Sequence, residues 1–276
     1  MKMPLEGIRV LDLSTMYPGP VCTMTLADFG ADVIRVEPTN GGDLWRYSLP
    51  LVNGLGMPYL QVNRNKKSIC LNLKSTSGRE IFYHLAENAD VVVEQYRPGV
   101  AKRLGVDYET LEKINPKIVY CSISGFGQTG PYRLKAGHDI NYISYAGILG
   151  LTARSNERPT IPGVQVGDVC GGALYALSGI LIALIGAKQT GRGQYIDTAM
   201  FDGAVSMMHW NASSYLANGE AMQPQGNILI GQLACYNVYE TKDGRYISLG
   251  AVESHLWTNF CEKIGHPEFA DRKSVV

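Results

Sequence analysis

The strongest constraint on the fold is an alternation of short β-branched runs and longer helical runs over the first 200 residues. Residues 7–14 (GIRVLDLS) predict a strand, a helix follows, and residues 32–38 predict the next strand. The pattern returns with a helix over 76–89 and strands over 90–96 and 117–124. Strands joined by helices pair in parallel through right-handed crossovers, and runs rich in Val and Ile belong inside a sheet that helices cover. We therefore predict an α/β fold with a Rossmann-like, doubly wound large domain.

The composition changes after this large domain, which we place at 1–203. A stretch rich in Asn, Gln and Gly predicts a linker over 204–230, and residues 231–276 predict a small α+β domain. In the small domain, two alternating runs flank an Asp-Gly pair at 243–244, which is a strong hairpin signal, and a helix is expected over 253–265. Since a hairpin and one helix make a poor core by themselves, we expect the small domain to be incomplete.

Charge and cysteine content exclude several classes of protein. The chain has 25 basic and 25 acidic side chains and a formal net charge of zero, whereas nucleic-acid-binding proteins usually carry a clustered basic excess. The six cysteines form no CxxC pair, so no metal site is predicted, and we expect small buried thiols in a reducing compartment. The charge balance therefore predicts that the protein has no nucleic-acid partner. Because the N-terminus has no signal-peptide pattern, we also expect a cytoplasmic protein.

One uncharged run of 19 residues, 169–187, approaches the length needed to cross a bilayer. The run is rich in Gly, Ala and Ser and has no aromatic belt. A helix that is apolar all round is also what the middle of a large α/β protein buries. We expect a buried core helix and no membrane contact, with a membrane span as the alternative.

A glycine-rich segment at 125–130 (GFGQTG) has the spacing of a dinucleotide-binding loop and directly follows a predicted strand. No helix is predicted to follow it, and no acidic residue stands at the end of a next strand about 20 residues further on. We therefore interpret the segment as an ordinary glycine-rich loop and predict no nicotinamide cofactor.

Three polar residues are candidates for chemistry. His138 follows a glycine that allows a ligand to approach closely, and histidine is suited to proton transfer near neutral pH. The alternative, which the residues alone favour, is a structural histidine bonded to Asp139 or Asn141. Asp168 begins the apolar run and is either a helix cap or a carboxylate in a water-poor pocket, which can act as nucleophile or base. Glu253 starts a predicted helix and has the same capping alternative.

Basic side chains recur at the ends of predicted strands and in loops. They are Arg35, Lys66, Lys67, Lys74, Arg97, Arg103 and Lys135. Each by itself is typical of a solvated surface. Because open α/β sheets bind ligands beyond the ends of their strands, the placement of these charges favours a polyanionic small molecule.

Several segments, in order from residue 5 to about 260, carry a resemblance to a known family. They are LEGIRVLDLS, LADFGADVIRVEP, NRNKKSICLNLK, GFGQTGPY, AGHDINY, GDVCGG, TGRGQYIDTAMFDG and YETKDGRYISLGAVE. With them the chain resembles the class III CoA-transferase (CaiB/BaiF) family, and within it the alpha-methylacyl-CoA racemase branch. The resemblance implies an acyl-CoA racemase or epimerase that inverts the alpha carbon of a 2-methylacyl-CoA. The alternatives are a CoA-transferase that carries coenzyme A as an aspartyl thioester on Asp168, and a CoA-binding protein without activity.

The resemblance also implies partners and roles for single residues. It implies an interlocked homodimer, no cofactor beyond the coenzyme A of the substrate, an acid/base pair of His138 and Asp168, and Glu253 as a helper carboxylate from the small domain. The residues that it assigns to coenzyme A or to the acyl group are Met16, Tyr17, Pro18, Arg35, Leu71, Asn72, Leu73, Lys74, Gln95, Tyr96, Arg97, Arg103, Lys135, Gly137, Asp139 and Tyr142. Pro38 departs from the family pattern, which often has an arginine there, so Arg35 or nearby lysines are expected to supply that charge.

Overall fold

The computed structural model describes residues 2–154 and 156–271. The strands are β1 (Arg9–Asp12), β2 (Asp32–Glu37), β3 (Leu51–Val52), β4 (Leu55–Gly56), β5 (Lys66–Cys70), β6 (Val91–Glu94), β7 (Val119–Ser124), β8 (Tyr195–Ala199), β9 (Tyr236–Glu240) and β10 (Tyr246–Gly250). The α-helices are α1 (Pro18–Asp28), α2 (Met57–Val62), α3 (Thr76–Ala86), α4 (Val100–Leu104), α5 (Tyr108–Ile114), α6 (Asp139–Tyr145), α7 (Tyr175–Thr190), α8 (Met200–Ser206), α9 (His209–Asn218) and α10 (Ser254–Lys263). A π-helix, Val166–Leu174, leads into α7.

Six of the strands form one parallel sheet in the order β5-β2-β1-β6-β7-β8. Counted along the chain as the first to sixth strands of this sheet, they have the order 3-2-1-4-5-6 of a doubly wound fold. The direction of winding reverses between β1 and β6. The predicted α/β domain with a central parallel sheet is therefore confirmed.

Helices cover both faces of this sheet, so its strands are buried on both sides. On one face Val10 and Val91 lie in a core with residues of α1 and α7. On the other face Leu11 and Val92 lie in a second core with residues of α3 and α5. Neighbouring residues of one strand thus point to opposite cores, as the two-residue period of a strand requires.

The uncharged run forms the π-helix and α7, which cover one face of the sheet. By length and composition, Val166–Thr190 is long and apolar enough to cross a membrane, with a mean hydropathy of 2.1 and 33% of its most apolar window buried. Ala176 and Ile180 are fully buried, whereas Ile182 and Ile185 are 69% and 60% exposed. The prediction of a helix buried all round is wrong, because only the side that meets the sheet is covered.

Two glycines allow the π-helix and α8 to approach each other closely. A Cβ atom on Gly203 would lie 2.1 Å from the carbonyl oxygen of Gly171, and a Cβ atom on Gly171 would lie 2.5 Å from the carbonyl oxygen of Met200. A side chain at either glycine would force the two helices apart. Since the π-helix carries Asp168, this contact helps to determine where that carboxyl group stands.

A second compact unit comprises residues 147–163 and the chain from 208 on. In this unit β9 and β10 form an antiparallel hairpin, and Gly244 in the turn has a φ of +75°. The hairpin predicted from the Asp-Gly pair is confirmed. Trp257 of α10 lies in a small core with Cys235.

The division into units differs from the predicted domains at two places. The first unit comprises the residues up to 146 and 164–207, so the stretch 147–163 does not belong to the large domain, in which it was predicted. The predicted linker over 204–230 contains α9 and the end of α8. Helix α9 has no buried residue. Because an apolar stripe is expected only on a helix that buries one face, the sequence did not indicate this helix.

The six cysteines are all free thiols. Cys22, Cys121, Cys235 and Cys261 are buried, as predicted. Cys70 is exposed, contrary to the prediction, because it ends β5, which forms one edge of the parallel sheet.

The close contact between the π-helix and α8 predicts opposite effects for two Gly→Ala variants. Gly203→Ala should lower the free energy of unfolding by about 1–3 kcal/mol, because the new methyl group overpacks the contact. Gly186→Ala is the matched control in α7, since its Cβ atom would meet nothing within 4 Å and alanine favours the helix by up to ~1 kcal/mol. Urea-induced unfolding measures both, and equal stabilities would contradict the contact.

Candidate active site

A cavity of about 1280 Å³ opens in the first unit beside the carboxyl ends of three strands. It is lined by Tyr17 after β1, Gln95 after β6 and Gly125 after β7. Strands β1 and β6 are the pair between which the winding of the sheet reverses. Ligands of doubly wound sheets bind at this reversal, beyond the carboxyl ends of the strands.

Eleven of the predicted site residues line this cavity, although they come from distant parts of the sequence. They are Met16, Tyr17, Pro18, Gln95, Tyr96, Arg97, Lys135, Gly137, His138, Tyr142 and Asp168. The structure therefore brings together the segments after β1 and β6, the segment before α6 and the start of the π-helix.

Seven predicted residues of the same unit do not line the cavity. They are Arg35, Leu71, Asn72, Leu73, Lys74, Arg103 and Asp139. The side chains of Leu71 and Leu73 are buried in the core beside α3, so contact of these side chains with a ligand is excluded. Asn72, Lys74 and Arg103 are exposed, and their contact with coenzyme A stays a prediction.

Glu253 belongs to the second unit, where it is exposed and directly precedes α10. Its side chain forms no capping bond with that helix, so the capping alternative is not supported. The role as a helper carboxylate stays a prediction.

Arg35 is placed differently from the prediction. Its side chain is 1% exposed and forms ion pairs with Asp12 at 3.6 Å, with Glu37 at 2.7 Å and with Asp43. Its Nη1 also donates a hydrogen bond to Asn63 at 2.8 Å. Because the guanidinium is directed at buried partners, the prediction that Arg35 contacts coenzyme A is wrong.

The carboxylate of Asp43 connects Arg35 to two segments of the cavity wall. It accepts hydrogen bonds from the backbone N–H of Met16 at 2.9 Å and of Trp45 at 2.8 Å. Met16 has a φ of +60°, in the left-handed region that is unfavourable for a residue with a side chain. The buried carboxylate thus stabilises a strained turn at the start of the cavity.

Asp12, at the end of β1, is the second buried acid of this network. It accepts hydrogen bonds from Thr23 at 2.6 Å and from Lys66 at 3.1 Å. Burial opposes its ionisation, but Lys66, Arg35 and the hydrogen bonds of Ser14 and Thr23 lower the pKa of Asp12 to about 2. Asp12 therefore stays charged at every physiological pH and ties the start of α1 to the sheet.

Asp168 lies in the first turn of the π-helix and is half-buried. Its backbone N–H donates to Oδ1 of Asp139 at 2.9 Å, which fixes its position. Burial and the negative charge of Asp139 raise the pKa of Asp168 from 3.8 to about 6, although His138 acts in the opposite direction. Because both protonation states are populated near this pH, the Asp168 carboxyl group is suited to giving and taking a proton.

His138 directly precedes α6, and its imidazole is exposed in the cavity. Its backbone N–H donates to Oδ1 of Asn141 at 3.0 Å, and the hydroxyl of Tyr142 donates to the carbonyl oxygen of Gly137 at 2.6 Å. Burial and the charge of Asp168 raise the pKa of Tyr142 to about 12, so its phenol stays protonated as a donor. The loop before α6 is thus held by bonds that leave the imidazole of His138 in the cavity.

Four basic side chains line the cavity: Arg64, Arg97, Arg133 and Lys135. The guanidinium of Arg64 forms an ion pair with Asp28, so the other three give the cavity wall its positive charge. The ammonium of Lys135 lies 3.7 Å from the centre of the Tyr132 ring. Within residues 2–154 and 156–271, none of the three is in an ion pair, and no group of three or more His, Cys, Asp or Glu could hold a metal ion. Unpaired positive charge in a concave site attracts anionic ligands.

Several large side chains of the wall were missed in the sequence, among them Arg133, Trp45 and Met24. Trp45 and Met24 both line the cavity, and the ring of Trp45 lies 5.2 Å from that of Tyr17. Trp45 is the second residue of a single 3-10 turn, and its backbone N–H donates to the carboxylate of Asp43, which caps the turn. An aspartate followed by a short turn is a capping signal, but it does not show which wall the turn will form.

The chain is similar to known proteins along nearly its whole length. The family model described as CoA-transferase family III matches residues 5–276. Human succinyl-CoA:glutarate CoA-transferase is 39% identical over 97% of this chain, and human alpha-methylacyl-CoA racemase is 38% identical over 95% of it. This chain spans only 61% and 65% of the lengths of those two proteins.

Solved structures show the same relationship. A CAIB/BAIF family protein from Brucella suis has a TM-score of 0.87 and is 36% identical, and the match covers 98% of this chain and 72% of that protein. Transferases and racemases occur among the relatives at similar identity. Overall similarity therefore does not separate the two activities, and the site itself has to be considered.

The variant Asp139→Asn separates the charge of Asp139 from its hydrogen bond. The asparagine oxygen still accepts from the backbone N–H of Asp168, but the negative charge is gone, so we expect the pKa of Asp168 to fall below about 6. NMR of carboxyl-labelled aspartate measures this pKa. Asp197→Asn, at an exposed acid elsewhere in the unit, is the control and should leave it unchanged. An unchanged value in Asp139→Asn would mean that Asp139 has no influence on this pKa.

Proposed function

The chain belongs to CoA-transferase family III, and we propose that it is an acyl-CoA racemase or epimerase. In this proposal the substrate is a 2-methylacyl-CoA thioester, and His138 and Asp168 invert its alpha carbon by proton transfer. The observation that carries the proposal is the placement of these two side chains in one cavity, close enough for His138 to affect the pKa of Asp168.

The geometry suits removal of a proton next to a thioester carbonyl. A base takes the proton from the alpha carbon, and the electron pair of the broken C–H bond moves to the thioester oxygen to form an enolate. An acid on the opposite face then returns a proton to the same carbon. Two side chains of different type exchange these roles in the two reaction directions, and each such transfer contributes a factor of about 100 to 10,000.

The positive cavity wall supports coenzyme A as the carrier of the acyl group. Coenzyme A carries phosphates, and Arg97, Arg133 and Lys135 provide positive charge where the winding of the sheet reverses. In the proposal no cofactor is needed beyond the coenzyme A of the substrate. We also propose a cytoplasmic homodimer without nucleic-acid or membrane partners, in which Glu253 assists as a further carboxylate.

A CoA-transferase is the second candidate, because transferases occur among the relatives at an identity similar to that of the racemases. In this reading the Asp168 carboxylate attacks the thioester carbonyl and displaces the thiolate of coenzyme A, which forms a mixed anhydride. The thiolate then attacks the Asp168 carbonyl of the anhydride, releases the acyl group as a free acid and leaves coenzyme A on Asp168 as a thioester. This reading needs the carboxylate alone and makes no use of His138. The two candidates therefore differ in what His138 does.

Exchange of the alpha proton with solvent distinguishes the two candidates. In heavy water and without an acceptor acid, the chain should incorporate deuterium at the alpha carbon of a 2-methylacyl-CoA, measured by mass spectrometry. We expect His138→Ala to lower this exchange by a factor of about 100 or more. The control is His84→Ala, at an exposed histidine of α3 that does not line the cavity, and it should leave the exchange unchanged. Retained exchange in His138→Ala would overturn the proposal. Transfer of coenzyme A to an added acid without deuterium uptake, with hydroxylamine trapping at Asp168, would establish the transferase.

The raised pKa of Asp168 predicts the acid side of the pH profile. Asp168 is a base only when ionised, and protonation removes this form as the pH falls through about 6. In the direction in which Asp168 takes the proton, kcat/KM should fall by about tenfold per pH unit below that value. Initial rates from pH 4.5 to 8 measure the profile. A kcat/KM that stays constant from pH 8 down to pH 4.5 would contradict this assignment of the base.

A further inference from the structure

A buried carboxyl group at the end of β6 takes no part in the chemistry above. Glu94 is 2% exposed. One of its oxygens accepts from the backbone N–H of Tyr96 at 2.6 Å, and the other accepts from the hydroxyl of Ser122. The hydroxyl of Tyr195 donates in turn to Ser122 at 3.2 Å. In the part of the chain that the structure describes, Glu94 has no ion pair with a basic side chain.

The surroundings of Glu94 disfavour its charge. The titratable groups that face it are Tyr96, Tyr120, Cys121, Tyr195 and Asp197. None of these groups is cationic. Burial, to which the charge of Asp197 adds, raises the pKa of Glu94 to about 7, although the hydrogen bonds of Ser122 and Tyr96 oppose the shift.

Glu94 directly precedes a segment of the cavity wall. The four consecutive residues 95–98 all line the cavity. The side-chain oxygen of Gln95 accepts from the backbone N–H of Gly19 at 3.0 Å, so the segment is also tied to the start of α1. The bond from Tyr96 to Glu94 is therefore an anchor in the middle of this wall, at one of the two strands where the winding reverses.

We propose that Glu94 is a positioning residue: its carboxylate holds the segment 95–98 against the cavity, and loss of its negative charge loosens this segment and weakens the binding of coenzyme A thioesters. The identity of the ligand rests on the proposed function, whereas the effect on the segment does not. A carboxylate offers an acceptor to both donors that point at it, and charge-assisted hydrogen bonds are stronger than neutral ones. A protonated carboxyl group can donate from one oxygen to the hydroxyl of Ser122, which both donates and accepts, while the other oxygen still accepts from Tyr96. The bond to Tyr96 then loses its charge assistance and is weaker.

Amide exchange tests the effect on the segment without any ligand. We measure the protection of the Tyr96 amide by NMR at pH 6 and pH 8 and correct it for the intrinsic exchange rate. In the unmodified chain the protection should be about fivefold higher at pH 8, the ratio expected between a charge-assisted and a neutral bond. In Glu94→Gln, whose amide oxygen still accepts from Tyr96, protection should be the same at both pH values.

A control variant separates this effect from a general loss of structure. Asp107→Asn removes an acid that caps α5 and accepts from Thr110, and its bonds do not reach the segment 95–98. It should keep the pH dependence of the unmodified chain. Two results would overturn the proposal. One is a protection of the Tyr96 amide that does not depend on pH in the unmodified chain, and the other is a protection that still depends on pH in Glu94→Gln.

The affinity for coenzyme A itself is the second measurement, with the fluorescence of Trp45 in the cavity as a signal. The ratio of the affinity at pH 8 to the affinity at pH 6 should be about fivefold larger in the unmodified chain than in Glu94→Gln. Asp168, which also titrates in this pH range, contributes equally to both proteins. An equal pH dependence in both proteins would assign the effect to another group and overturn the role in binding. If no variant binds coenzyme A, the proposed function fails, and amide exchange still decides whether Glu94 holds the segment.

Discussion

A buried network of opposite charges around Arg35 holds the cavity end of the sheet together. Arg35 and its acidic partners join β1 and β2 to the turn that carries Trp45, and Lys66 adds the edge strand β5. Burying charges is costly unless each is paired and hydrogen-bonded, and removing one member of such a pair costs about 3–5 kcal/mol. The network therefore requires all its members at once. The network stabilises the cavity wall, in which Met16 keeps a strained left-handed conformation.

Two acids of this unit illustrate how the surroundings of a carboxyl group determine its charge. Asp12 is fully buried but faces Lys66 and Arg35, which hold its pKa at about 2, so it is a permanent charge and a structural anchor. Asp168 is less buried and has Asp139 beside it, and its pKa is raised to about 6. One side-chain type is thus a permanent anion at one position and a group that titrates near pH 6 at another, according to whether a basic partner offsets the cost of burial.

The alternation of apolar strands and helices was sufficient to predict the parallel sheet, and the Asp-Gly pair was sufficient for the hairpin of β9 and β10. The sequence did not indicate β5, because the paired lysines Lys66 and Lys67 conceal an edge strand. Nor did it indicate the π-helix, since nothing in an uncharged run distinguishes its hydrogen-bond pattern from that of an α-helix. Arg35 was assigned to the ligand because its charge was visible. Its partner Glu37 lies in the same strand, but Asp12 and Asp43 come from other segments and meet Arg35 only in the fold.

The state of Asp168 bears on the choice between the two proposed reactions. A nucleophile uses only its ionised form, so a raised pKa brings it no gain in the fraction that reacts. A group that takes a proton in one direction and returns it in the other uses both forms, and a pKa of about 6 populates both near neutral pH. Asp139 contributes to this pKa while its carboxylate also holds the backbone of Asp168, so one residue both positions the Asp168 carboxyl group and tunes its protonation. With His138 in the same cavity, the arrangement supports proton transfer over nucleophilic attack.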